Sequence, residues 1–255
     1  MRYDQIIIFL IVSLFTSPHT SAEIKITLAS DPWAPYIFGE TDGIVKGGVL
    51  VELYDQIFSK IDGVDVQYEL LPWKRALLEV EEGRVDGVMA LLKSKERALV
   101  MDFTEPVFEG KTVFWYVKSF HPKGIKWRKL TDLLPYQIGV VAGYETTKVF
   151  SKGEIKGIKF NINEMIHEQQ IYKMLLLNRL DIMPNNEISA NYTFRQNGWQ
   201  NKFAAMDKPL STDTFYIGFS KKTEARKLIP KINQVIQDFR KKGLIEKILK
   251  GKNNK

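Results

Sequence analysis

The sequence contains no cysteine and only three histidines. Without cysteine there can be no disulfide, no thiolate metal site and no membrane attachment through a lipidated cysteine. The histidines, His19, His121 and His167, are scattered and offer no metal-ligand spacing. Long apolar runs are also scarce. The run Ile6–Phe15 is too short for a comfortable transmembrane helix, and no other stretch approaches the length needed. The nucleophile elbow G-x-S-x-G, the phosphate loop G-x-x-x-x-G-K-[ST] and the dinucleotide fingerprint G-x-G-x-x-G are all missing. These absences weigh against metal-dependent, serine-hydrolase and nucleotide-dependent chemistry, so no metal, no cofactor and no catalytic residue is expected. No internal repeat of solenoid length is present.

What is present begins with an amino-terminal leader. Arg2 precedes the apolar run, and Thr20-Ser21-Ala22 supplies small residues for a signal peptidase, which predicts a cleaved secretory signal over residues 1–22 with cutting after Ala22. The remainder, about 233 residues, is long enough to bury a substantial core as one or two domains. The formal net charge is +7, but the basic residues are spread along the chain and form a solvated surface, so nucleic-acid binding is not expected. A short polar tail, Gly251–Lys255, is expected to be disordered.

The most informative stretch is Leu71–Pro106. Apolar residues at Trp73, Ala76, Leu77 and Val80 fall at helical spacing, and Gly83 stands where a left-handed C-cap would end that helix. Val85–Leu92 then reads as a short strand buried on both faces of a parallel sheet. Lys93–Arg97 follows as a polar turn, placing one arginine at the carboxyl end of a strand, where open α/β sheets hold their ligands. The alternative is that Arg97 only forms a surface pair with an acid such as Asp102.

The segment W-x-R-A-L-x-x-V-E-x-G-x-V-D-G, followed by Ser94-Lys95-Glu96-Arg97 and Met101-Asp102-Phe103-Thr104-Glu105-Pro106, resembles the first-lobe core of the family 3 extracytoplasmic solute-binding proteins. Such proteins serve ABC importers for polar amino acids and related solutes. The likeness extends over nearly all of the chain after the leader. It includes the strand Glu23–Leu28 and the loop Asp31-Pro32-Trp33-Ala34-Pro35-Tyr36, the turn Ala142-Gly143-Tyr144-Glu145, the run Arg179–Asn186, and the closing Gly243–Ile248. It implies ligand-binding positions at Trp33, Tyr36, Trp73, Arg75, Arg97, Tyr144, Glu145 and Asn186. Arg97 stands where the family grips a ligand carboxylate, and Trp33 and Trp73 where it places aromatic walls. For each tryptophan the alternative is core packing. Three places depart from the family pattern: Met89-Ala90-Leu91-Leu92, one residue shorter, stands where amino-acid binders place Ser or Thr ahead of the arginine, Glu145 replaces a small hydroxyl residue, and Asn186 replaces an aspartate that pairs with an α-ammonium group.

The implied fold is α/β, a type II-like periplasmic-binding-protein fold of two lobes joined by two crossing strands, with a cleft between them. Lobe one is expected over 23–113 plus 215–255 and lobe two over 114–214. Further elements expected are strands at Val64–Leu70, Lys111–Lys118, Tyr136–Val141, Lys159–Ile162 and Phe215–Ser220. Helices are expected at Gly47–Ile61, Glu168–Asn178, with Leu177 on its apolar side, and Lys222–Arg240. The implied function is capture of a small polar, carboxylate-bearing solute that is not a standard α-amino acid. The protein would be a periplasmic monomer whose partners are that ligand and the membrane permease of an ABC importer. Two other classes remain. One is an enzyme on this scaffold resembling the cyclohexadienyl dehydratases, with Glu145 as its acid or base. The other is a periplasmic ligand sensor, although no kinase or transmembrane segment follows in this sequence.

Overall fold

A computed structural model describes residues 24–145, 150 and 159–251. The expected leader and most of the polar tail lie outside the described residues. Along the chain the elements begin with strand β1 (Ile24–Ser30), the small strands β2 (Phe38–Gly39) and β3 (Val45–Gly47), and helix α1 (Val49–Phe58). Next come β4 (Val64–Leu70), α2 (Trp73–Glu82), β5 (Gly87–Leu92), the single turn α3 (Arg97–Val100), β6 (Met101–Phe103) and β7 (Phe108–Val117). The middle of the chain holds β8 (Gln137–Val141), β9 (Asn161–Met165), α4 (Glu168–Leu176), β10 (Ile182–Asn186), α5 (Glu187–Gln196) and β11 (Phe203–Ala205). The chain closes with β12 (Ser211–Ser220), α6 (Ile229–Lys241) and α7 (Leu244–Gly251). Among the described residues no helix is long and apolar enough to cross a membrane.

The fold is α/β and two-lobed, built on one curled sheet in the order β4-β1-β5-β12-β7-β10-β8-β9. The middle pair, β12 and β7, joins the lobes: antiparallel from Thr112 opposite Ser211 to Phe108 opposite Phe215, each strand then continues into a different half of the sheet. On one side of this pair the sheet is covered by α1, α6 and α7 over a core around Leu28, Leu53, Ile57, Ile217 and Ile236, and by α2 over Ala76, Val80 and Val88. On the other side, α4 and α5 cover Ile171, Leu175, Met183 and Phe194, while Phe114, Trp127, Ile138 and Ile182 fill the opposite face. Each half therefore buries both faces of its sheet, as open α/β layers do.

Several expected elements hold their ground and some move for identifiable reasons. Helix α2 ends at Gly83, whose φ of 74° is the left-handed cap expected there. Strand β5 is buried from Gly87 to Leu91, but it is parallel only to β1 and antiparallel to β12, so its sheet is mixed and not wholly parallel. Both crossing strands start earlier than their β-prone cores suggest, because their leading residues pair with each other. The amphipathic stretch expected to be one helix from Lys222 is broken. Glu224–Leu228 forms a 3-10 turn, and α6 starts at Ile229 with Pro230 in its first turn. A proline lacks the amide hydrogen a helix interior requires, so the helix cannot run through it and begins there instead. Leu177 falls beyond the end of α4 and is exposed.

Candidate functional site

The cleft between the lobes is assembled from the ends of four strands and from the two crossing strands. After β1 the chain turns through Asp31 and Trp33, and after β5 it turns into Arg97. From the other lobe come Tyr144 and Glu145 after β8, and Pro184–Asn186 at the carboxyl end of β10. The crossing strands contribute Thr112, Asp213 and Phe215. These residues enclose about 590 Å³, including the open mouth. The site sits outside the carboxyl ends of parallel strands, as ligand sites in open α/β sheets do.

Arg97 is the central charge. It is 6% exposed, and its guanidinium is engaged on three sides. Nη1 donates to the Leu92 carbonyl at 2.6 Å and Nη2 to the Gly143 carbonyl of the other lobe at 3.2 Å, while Nε lies 3.2 Å from Glu145 Oε1. Its Cζ stands 5.5 Å from the Trp73 ring centroid, within cation–π reach. Burial lowers the pKa of this guanidinium, and the Glu145 carboxylate raises it again. Asp102, the surface partner considered for Arg97, is instead near Lys221 and Arg226. The carboxylate nearest the Arg97 guanidinium is thus that of Glu145, from the other lobe.

Further polar contacts cross between the lobes. Trp73 Nε1 donates to the Gly143 carbonyl at 3.1 Å, Tyr144 Oη to Asp31 Oδ2 at 2.7 Å, Tyr36 Oη to Asn186 Oδ1 at 3.3 Å, and Ser189 Oγ to the Ala34 carbonyl at 2.7 Å. Desolvation pushes the Asp31 carboxyl up to about 7, against the opposing pull of the Tyr144 hydrogen bond. Nearby, the Glu168 carboxyl is also raised by burial while accepting from Tyr172 and Asn185.

Most of the residues chosen from sequence come together here. Trp33, Trp73, Arg97, Tyr144, Glu145 and Asn186 all line the cleft. Trp33 and Trp73 are also core residues, so each is largely buried while lining the cleft. Tyr36 is fully buried behind Trp33, with ring centroids 4.2 Å apart, and acts on the cleft through its bond to Asn186. Arg75 is not part of the site. Its side chain is 55% exposed and meets Asp42 and Glu79. It lies two positions after Trp73 on α2, and residues two apart on a helix point to different faces.

Two acids in the cleft were not singled out from sequence. Asp31 directly follows β1, and strand-end placement could have drawn attention to it. Asp213 is 8% exposed near the start of β12, where it accepts a hydrogen bond from the Thr112 hydroxyl. An aspartate in an otherwise β-prone strand was the available signal, since strands are depleted in Asp. Asn186 caps α5, its Oδ1 accepting from Ile188 and Ser189 amides at 3.1 Å. That fixes the side-chain orientation and leaves Nδ2 buried without a hydrogen-bond partner. Gly110 on β7 leaves room for it: a Cβ there would stand 2.6 Å from Asn186 Nδ2.

A family model described as bacterial extracellular solute-binding proteins, family 3, matches residues 26–251. No individual curated protein matches the chain. Among solved structures, the fold is similar to an ancestral arginine-binding protein bound to arginine, with a TM-score of 0.75 and 20% identity over 89% of this chain and 97% of that one. It is similar to the amino acid ABC transporter substrate-binding protein AbpA from Streptococcus pneumoniae bound to L-arginine, with a TM-score of 0.75 and 19% identity over 90% and 94%. It is also similar to a histidine kinase sensor domain with similarity to periplasmic binding proteins, with a TM-score of 0.74 and 19% identity over 88% and 93%.

Proposed function

We propose that this chain, which belongs to the bacterial extracellular solute-binding proteins, family 3, captures a small polar solute in the interlobe cleft and delivers it to the membrane permease of an ABC importer. The observation that carries this reading is the cleft itself, walled by Trp33 and Trp73 and contacted by polar groups of both lobes. A solute held there touches both sides at once and so favours the closed form. In this reading lobe one comprises 23–113 plus 215–255, lobe two comprises 114–214, and the leader directs the protein to the periplasm with cleavage after Ala22. The protein works as a monomer. A carboxylate on the solute would compete with Glu145 for the Arg97 guanidinium.

A second reading on the same scaffold is favoured by one observation: Asp31, pushed up to about 7 beside Tyr144, is poised as an acid or base near neutral pH. A thermal-shift screen over amino acids, amines, small acids and sugars, paired with product analysis on prephenate and arogenate, separates the two. Capture predicts that at least one solute raises the melting temperature, by the equivalent of about 2.7 kcal/mol at a hundredfold excess over its dissociation constant, and that neither compound is turned over. Turnover that is abolished in Asp31→Asn or Glu145→Gln would replace capture with catalysis. A sensor would show the same binding without any coupling to a permease, so stimulation of a reconstituted permease's ATPase by the loaded protein is expected for capture alone.

A further inference from the structure

The charges in the cleft are unequal. Asp31, Glu145 and Asp213 line it together with one guanidinium, Arg97. Glu145 and two backbone carbonyls already surround that guanidinium, which weakens its attraction for a second carboxylate. Asp213 and Asp31 are met by hydroxyls, those of Thr112 and Tyr144, and no salt bridge reaches either among the described residues. The Asp213 carboxylate, held by a neutral donor in the cleft, retains its attraction for a cation and repels a further anion, and Asp31 adds to this when it is ionised. The walls suit the same partner: Trp33 and Phe215 stand 5.2 Å apart on one side, and Trp73 meets Tyr144 edge to face at 5.7 Å on the other. Aromatic faces attract organic cations.

An independent observation points to the rest of the ligand. Asn186 is 4% exposed, lines the cleft, and keeps its Nδ2 amide without a partner. Its Oδ1 is committed to the α5 amides, so the unfilled need is for an acceptor. A buried donor left unmatched is unfavourable, and a ligand oxygen in the cleft beside Asn186 would satisfy it.

We propose that the cleft selects a small organic cation whose oxygen is neutral, a hydroxyl or an amide, over the corresponding free amino acid or betaine. The inference rests on the capture reading and narrows its solute. The carboxylate expected from sequence at Arg97 is replaced by the internal carboxylate of Glu145.

The test compares pairs that differ at one group, by calorimetry on the full chain without its leader: choline against glycine betaine, and argininamide against arginine, with succinate as an anionic control. The neutral-oxygen member of at least one pair is expected to bind at least tenfold more tightly than its carboxylate partner, and succinate is expected not to bind. Glu145→Gln frees the Arg97 guanidinium and is expected to shift the preference within that pair at least tenfold toward the carboxylate. Asp213→Asn leaves Arg97 untouched and is expected to weaken the cation at least tenfold; circular dichroism confirms that each variant is folded. Tighter binding of arginine, glycine betaine or succinate would overturn the cation assignment and leave capture standing. Absence of binding by every probe, with no melting shift across the wider screen, would overturn both.

Discussion

Arg97→Met is expected to lower the stability of the closed protein by about 3–5 kcal/mol and to open the cleft, because removing one member of a buried ion pair strands the other. Arg97 is 6% exposed and Glu145 16%, so the pair lies away from water. The methionine preserves much of the apolar stem beside Trp73 but supplies no donor. It would leave Glu145 and the carbonyls of Leu92 and Gly143 without their guanidinium contacts. Two of these three groups belong to the opposite lobe and can regain water only if the lobes separate. Part of the loss should therefore appear as a larger radius of gyration in small-angle scattering, and part as a lower midpoint in urea. Arg97→Lys keeps the charge but not the planar fork, and should fall between the two. In a double-mutant cycle, Glu145→Gln should be milder alone and should reduce the effect of Arg97→Met. Unchanged scattering and an unchanged midpoint in Arg97→Met would show that the bridge does not hold the lobes together.

Asp31→Asn is expected to stabilise the protein at pH 8 relative to its effect at pH 4, by an amount on the order of 4 kcal/mol. The native carboxyl titrates near 7, against 3.8 for an unperturbed group. The folded form therefore holds a proton that the unfolded chain releases across that interval. The stabilising contribution is fully present below about pH 4 and is lost as the pH rises through about 7. Asparagine resembles the protonated state at every pH, and its Oδ1 can still accept from Tyr144. Urea denaturation of wild type and variant at several pH values gives the difference directly, with contributions from other titrating groups cancelling. A difference that stays flat from pH 4 to pH 8 would show that Asp31 is well solvated and not a desolvated member of the cleft.

Local pattern made much of the frame legible. The three-and-four spacing from Trp73 and the glycine at 83 gave a helix that ends with the expected left-handed cap. Alternation from Val64 marked β4, and strand-end logic placed Arg97 in the cleft. What failed was information carried by neither periodicity nor adjacency. Arg97 meets Gly143 and Glu145 only because two lobes dock, and nothing near either residue announces the other. Asp213 enters the cleft because β12 crosses beside β7, a pairing set by the sheet and not by the strand's own composition. The resemblance implied Arg75 as well, but the turn of α2 that places Trp73 in the cleft leaves Arg75 at the surface. Pro230 was readable and outweighed by the apolar spacing around it; the break it imposes follows from its missing amide hydrogen.

The central claim is that a solute sits in the cleft and touches both lobes. Hydrogen exchange followed by mass spectrometry, with and without a saturating solute whose binding calorimetry has established, tests it most directly. The expected result is slower exchange at residues 29–36 and 90–97 together with residues 143–145 and 184–189, the segments that meet across the cleft. Protection confined to one of these two sets, or falling elsewhere on the molecule, would contradict the account.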